Sequence, residues 1–123
     1  MSAAASEPLF RLELPAPPSA NALYKRVLNR SGKRPRTPAY QAWAIEAGWA
    51  LKFAAGDHAL PLKHVRLDLG MPFSYKRDIS NGIKAVEDLL KTHGVIVDDR
   101  WVEELRVRRI PATGPLTVAI WPI

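Results

Sequence analysis

The residues of this chain best suited to chemistry lie between Lys76 and Asp99. Asp78 stands near the start of that stretch, Asp98 and Asp99 stand at its end, and Lys84 lies between them. Carboxylate oxygens are the ligands that magnesium prefers, and a lysine ammonium is a point charge that can approach an anion. These residue types therefore allow a divalent-cation site beside an anionic group.

A helix is predicted to separate the two acidic positions. At 100° per residue, one narrow apolar sector contains Ile79, Ile83, Val86 and Leu90. The opposite side is polar and contains Ser80, Asn81, Lys84, Glu87, Asp88 and Lys91. Asp78 or Ser80 suits the N-cap, and Gly94 suits a turn after the helix. The helix therefore carries the acids at its two ends.

Each acid also has an ordinary structural explanation. Asp78 can serve as a helix cap, and Asp98 with Asp99 can form a turn. Asp88 follows Lys84 at i, i+4, which favours an ion pair over metal ligation. From the residues alone, a cation site and a purely structural role both remain possible.

The spacing of these residues resembles the RusA-type Holliday junction resolvases, also called crossover junction endodeoxyribonucleases. That family has Asp-x-Asp-Asn, a Lys, an Asp one turn later, a distal Val-x-x-Asp-Asp, and an early Pro-Pro-Ser-x-Asn. The matching residues here are Asp78-Ile79-Ser80-Asn81, Lys84, Asp88, Val95 to Asp99, and Pro17-Pro18-Ser19-Ala20-Asn21. Ser80 is the departure, because the family places an acid there.

The resemblance implies a homodimeric, magnesium-dependent endonuclease of DNA recombination and repair that nicks two opposed strands of a four-way junction. Manganese is a possible substitute for magnesium. The implied catalytic residues are Asp78, Lys84 and Asp99, and the implied metal ligands are Asp78, Asp99 and Asp98. Ser80 leaves two outcomes open, an active resolvase or a protein that binds branched DNA and cuts weakly or not at all. A third alternative is a basic nucleic-acid-binding or regulatory module without a catalytic site.

The composition is that of a small basic domain. The 123 residues carry a formal charge of +6, which favours a polyanionic partner. The chain has no Cys and no paired His motif, so a disulfide framework or a zinc hydrolase is not indicated. We expect one domain over residues 1–123, with a frayed terminus at residues 1–8. We also expect no membrane association and a cytoplasmic location, in a bacterium or encoded by a phage or prophage.

The densest charge lies before the first helix. Six basic residues occur there without an acid, and they are Lys25, Arg26, Arg30, Lys33, Arg34 and Arg36. Ser31 and Gly32 predict a mobile loop, which suits contacts to a phosphate backbone that need charge more than fixed geometry. The alternative is a solvated loop. Lys76 and Arg77 add a second basic group and are included among the predicted DNA-binding residues.

Alternating apolar residues predict four strands. They are centred on Leu12, on Leu67, on Leu105 to Val107 and on Val118, and prolines bound three of them. With helices after the first and second strands, the order is strand, helix, strand, helix, strand, strand. This order predicts a single small α+β domain with a mixed sheet and two principal helices.

The first predicted helix is apolar on two sides. Thr37 and Pro38 mark its start and Gly56 its end. One face contains Tyr40, Trp43, Ala44, Ala47, Ala50 and Leu51, and a separate stripe contains Ile45, Trp49 and Phe53. The stripe, called the aromatic stripe below, either completes the core or forms a subunit interface.

Overall fold

The computed structural model describes residues 7–18 and 37–123. In chain order these residues form two α-helices, four β-strands and two short 3-10 turns. The elements are β1 (Phe10–Leu14), α1 (Pro38–Ala55), β2 (Val65–Met71), a 3-10 turn (Ile79–Gly82), α2 (Ile83–Thr92), a second 3-10 turn (Asp99–Trp101), β3 (Val102–Arg109) and β4 (Leu116–Pro122). The predicted α+β order is confirmed.

The four strands form one mixed sheet in the order β1-β4-β2-β3. β4 is antiparallel to both of its neighbours, with Phe10 opposite Ile120 and Leu67 opposite Ile120 from the other side. β2 and β3 are parallel, so α2 lies in the crossover that joins them. Asp78 therefore follows the carboxyl end of β2, and Asp99 precedes the amino end of β3.

Alternate residues of β1, β2 and β4 form the core. β1 alternates strictly, with Phe10, Leu12 and Leu14 buried and the residues between them exposed. α1 covers this face with the predicted residues, since Tyr40, Trp43 and Leu51 are buried. Its start is also confirmed, because Thr37 Oγ1 accepts a hydrogen bond from the Tyr40 N–H at 3.2 Å.

The second helix begins later than the sequence predicts. Residues 79–82 form a 3-10 turn, and α2 begins at Ile83 with Gly82 at its N-cap. Asp78 occupies the cap position of the 3-10 turn, but its side chain makes no capping hydrogen bond. The predicted capping role of Asp78 or Ser80 is therefore wrong. The predicted turn at Gly94 is confirmed by a φ of 72°.

Two apolar or mixed surfaces remain open in the described part of the chain. The aromatic stripe is solvent-exposed, with exposed fractions of 65% for Ile45, 71% for Trp49 and 91% for Phe53. The sheet face opposite the core forms a groove of about 1080 Å³, lined among others by Arg66, Arg108 and Trp121 together with Phe53. The stripe is thus excluded from the core of the described fold. No described helix is long and apolar enough to cross a membrane.

Candidate active site

Asp78 and Ser80 are exposed at the start of the crossover. The turn that carries them packs on the end of β2, where a Cβ on Gly82 would lie 2.7 Å from Met71 Sδ and 3.1 Å from Phe73 Cζ. A glycine is therefore required for this close approach. Because the Asp78 carboxylate does not cap the turn, it can interact with a ligand at the protein surface.

Lys84 and Asp88 lie one turn apart on the exposed side of α2. Their Nζ and Oδ2 atoms are 3.6 Å apart, which confirms the predicted i, i+4 ion pair. The Lys84 side chain is nevertheless 66% exposed, so its ammonium can also approach an anion from solvent. Asp88 is explained by this pair without invoking a metal ion.

Glu87 is an acid whose role the sequence did not reveal. Its side chain is half-buried, and burial raises its pKa, as do the negative charges of Asp99 and Asp88, against the opposing effect of Lys84. The electrostatic influence of Asp99 on Glu87 joins the middle of α2 to the acidic pair before β3. The amphipathic pattern placed Glu87 on the polar face, but it gave no sign that Asp99 returns to that face.

Asp98 has a structural role that was only an alternative in the sequence. Its Oδ1 accepts a hydrogen bond from the Arg100 N–H at 3.5 Å, and it lies 3.8 Å from Lys91 Nζ. Its pKa is lowered, first by a hydrogen bond with the Asp99 side chain, and further by the Arg100 N–H and the charges of Lys91 and Arg100, against desolvation. Asp98 and Asp99 therefore lie side by side, with Asp98 engaged in the turn.

The acids form two groups along α2. Asp98, Asp99 and Glu87 are linked electrostatically towards the return segment, whereas Asp78 and Ser80 lie at the other end. Across residues 7–18 and 37–123, no three His, Cys, Asp or Glu side chains are close enough together to hold a metal ion. The assignment of Asp78, Asp98 and Asp99 to one metal site stays a prediction.

The basic residues predicted to bind DNA differ in what the structure shows. Lys25, Arg26, Arg30, Lys33, Arg34 and Arg36 lie outside the described residues. Lys76 is exposed. The guanidinium of Arg77 makes intramolecular contacts instead, donating to the carbonyls of Pro17 at 2.9 Å and Pro18 at 2.6 Å. It also stacks 3.6 Å from the Phe73 ring, and burial lowers its pKa.

Residues 15–120 match the protein family described as Endodeoxyribonuclease RusA. This match spans every helix and strand of the described fold apart from the first strand and the final residues of the last. The chain therefore belongs to the RusA family, a class of nuclease enzymes.

Individual members of the family are similar over nearly the whole chain. A protein named Crossover junction endodeoxyribonuclease RusA from Escherichia coli O139:H28 is 34% identical over 115 residues, covering 90% of this chain and 92% of that protein. The Escherichia coli K12 protein of the same name is 34% identical over 106 residues, or 85% of each chain. The rusA protein of Enterobacteria phage 82 is 33% identical over the same share. The predicted family is confirmed.

Proposed function

We propose that this chain resolves four-way DNA junctions as a magnesium-dependent, structure-selective endodeoxyribonuclease, making paired nicks as a homodimer. One observation carries the proposal. Proteins named crossover junction endodeoxyribonucleases match it at 33% to 34% identity over 85% or more of both chains. The phage and Escherichia coli sources of these relatives support a bacterial or phage origin.

The acids available on and around α2 suit magnesium chemistry. Magnesium is usually held by one or two carboxylates with waters completing its shell, so a complete protein cage is not needed. Asp78 and Asp99, with Asp98 as an alternative, would hold the ion, and manganese would be a substitute. When bound, the ion would activate water and offset the charge that builds on the phosphoryl group during hydrolysis.

The basic residues have separate roles in the proposal. Lys84 would provide a positive charge at the scissile phosphate, since its ammonium is exposed although it is paired with Asp88. The basic segment from Lys25 to Arg36 and the exposed Lys76 would contact the DNA backbone, where charge matters more than sequence.

A second candidate function is binding of branched DNA with weak or no cleavage. The observation that favours it is the combination of Ser80 with the lack of a three-acid cluster among the described residues. A serine hydroxyl is neutral, and hard cations keep their water shell unless anionic oxygens replace it. The two candidates differ in turnover, not in the DNA structure that they recognise.

The aromatic stripe supports the dimeric part of the proposal. Ile45, Trp49 and Phe53 are exposed on one side of α1, and large apolar side chains grouped in this way are typical of an interaction surface. A two-fold dimer would present one acidic site to each half of a four-way junction, which itself has two-fold symmetry.

The test is cleavage of a synthetic four-way junction with one labelled strand at a time. We expect paired nicks with magnesium, none with a chelator, and little cutting of a linear duplex of the same sequence. Asp78→Asn and Asp99→Asn should each abolish nicking without weakening junction binding, because each removes a negative charge near phosphate. Tight junction binding without nicking under any magnesium or manganese concentration would favour the second candidate.

A further inference from the structure

Arg109, the last residue of β3, lies against the loop that leads to Asp78. Its Nη1 donates to three backbone carbonyls of that loop, those of Phe73 at 2.7 Å, Ser74 at 2.7 Å and Arg77 at 3.1 Å. Its guanidinium also lies 4.6 Å from the centre of the Tyr75 ring. One cation therefore collects the carbonyl dipoles of the whole loop between β2 and the 3-10 turn.

The contact with the Arg77 carbonyl reaches Asp78 through the peptide bond. The carbonyl of Arg77 and the N–H of Asp78 belong to one planar peptide unit. When Arg109 fixes the oxygen of that unit, the position of Asp78 can change only through its own backbone dihedrals. The Asp78 carbonyl is held in turn, because it accepts the Asn81 N–H at 3.1 Å.

We propose that Arg109 is a positioning residue, which fixes the loop at residues 73–77 and thereby the carboxylate of Asp78. The proposal rests on the proposed function, since it takes Asp78 to be part of the nuclease site. Arg109 acts from β3, whose first residues follow Asp99, so a single strand links both acidic positions. Arg77 extends the same arrangement by holding the Pro17 and Pro18 carbonyls to this loop.

Three variants separate positioning from other roles. Arg109→Met removes every donor while keeping much of the aliphatic chain. Arg109→Lys keeps the charge and offers three N–H donors, so it should restore part of the arrangement. Arg108→Met is the matched control, because it removes the same charge from the adjacent residue, whose side chain lines the groove on the opposite face.

The first measurement is amide hydrogen exchange, which does not depend on activity. The Arg77 N–H bonds the Ser74 carbonyl at 3.0 Å, and the Asn81 N–H bonds the Asp78 carbonyl. Removing hydrogen bonds to a charged group should raise exchange at Arg77 and Asn81 roughly ten- to hundredfold in Arg109→Met. Exchange in β1 and β4 should stay unchanged, and Arg108→Met should resemble wild type.

The second measurement is nicking of a four-way junction in a single turnover at saturating protein, with junction affinity measured without metal. Arg109→Met should lower the rate about tenfold or more at unchanged affinity, and Arg109→Lys should recover part of it. Unchanged exchange and rate in Arg109→Met would overturn the proposal. Weakened affinity with unchanged exchange would also overturn it and make Arg109 a DNA contact.

The two proposals can fail separately. A wild-type protein that nicks no junction refutes the proposed function, and the exchange experiment then decides alone whether Arg109 holds the loop. If Arg109→Met does not fold, Arg109→Lys carries the same test, since its exchange and rate should lie close to wild type. An Arg109→Lys variant with a loosened loop and full nicking would contradict the positioning role.

Discussion

Gly48→Ala should destabilise the protein, although alanine is the better helix former. Gly48 is buried in α1, where its Cα faces the ring of His93 at the C-cap of α2. A Cβ at this position would lie 2.6 Å from His93 Cε1 and also too close to Nε2. Since carbon atoms pack at about 3.5 to 4.0 Å, the two helices must separate by roughly 1 Å or the ring must move.

Two opposing terms set the size of the effect. Replacing glycine by alanine inside a helix contributes about 1 kcal/mol of stability. Overpacking a tight contact costs about 1 to 3 kcal/mol, and we take about 2 kcal/mol because a rigid ring is the obstacle. The net loss is about 1 kcal/mol, which lowers the unfolding midpoint by about 4 °C for a domain of this size.

A double-mutant cycle followed by urea and thermal unfolding tests this reasoning. In a His93→Ala background the obstacle is gone, so Gly48→Ala should stabilise by about 1 kcal/mol, giving a coupling near 2 kcal/mol. Ala42→Gly, at an exposed position of the same helix, calibrates the propensity term and should cost about 1 kcal/mol. Stabilisation by Gly48→Ala with His93 present would refute the argument.

Four further predictions concern the site, the DNA, the dimer and pH. Ser80→Asp should lower the magnesium concentration for half-maximal nicking and raise the rate, with wild type responding better to manganese; an unchanged metal dependence would show that residue 80 does not face the ion. The basic segment should contribute to the salt dependence of DNA binding, so a variant neutralised at Arg30, Lys33, Arg34 and Arg36 should show a slope shallower by up to about 0.9 for each phosphate that it no longer neutralises. Trp49→Glu should convert a dimer to a folded monomer by light scattering, and a variant that stays dimeric would place the interface elsewhere. Burial, and secondarily Lys52, lower the pKa of folded His93, so the unfolded chain binds more protons below about pH 6.5 and stability should fall there; His93→Gln should lessen the drop in unfolding midpoint between about pH 7.5 and about pH 5.5.

Much of the fold could be predicted because the local signals agree with the packing. Thr37 and Pro38 start α1, strict alternation defines β1, and Pro72 follows β2, as the structure has them. The strand at Leu105 was also predicted correctly, but its side chain is 41% exposed because β3 is an edge strand whose residues the helices only partly cover. The order of the strands in the sheet depends on pairing between distant segments, which no local pattern encodes.

The site was predicted less completely because its contacts are tertiary. The i, i+4 pair of Lys84 and Asp88 follows from helix geometry and was correct. The 3-10 turn at Ile79 was not predicted, since an apolar period fits both kinds of helix over four residues. The engagement of Arg77 with Pro17, and the influence of Asp99 on Glu87, join residues that are far apart in the chain and so leave no periodic signal.

The central place of β4 has a consequence for biosynthesis. β4 lies between β1 and β2 in the sheet but is made after every other described element. During translation, β1 has no strand to pair with, and its buried side chains have no complete core to enter until β4 emerges. Sheet closure is therefore a late, non-local step, of the kind that slows folding and leaves strand edges exposed to other chains. A nascent chain of this nuclease cannot acquire its sheet, or the acidic arrangement that depends on it, before nearly all of the described fold has been synthesised.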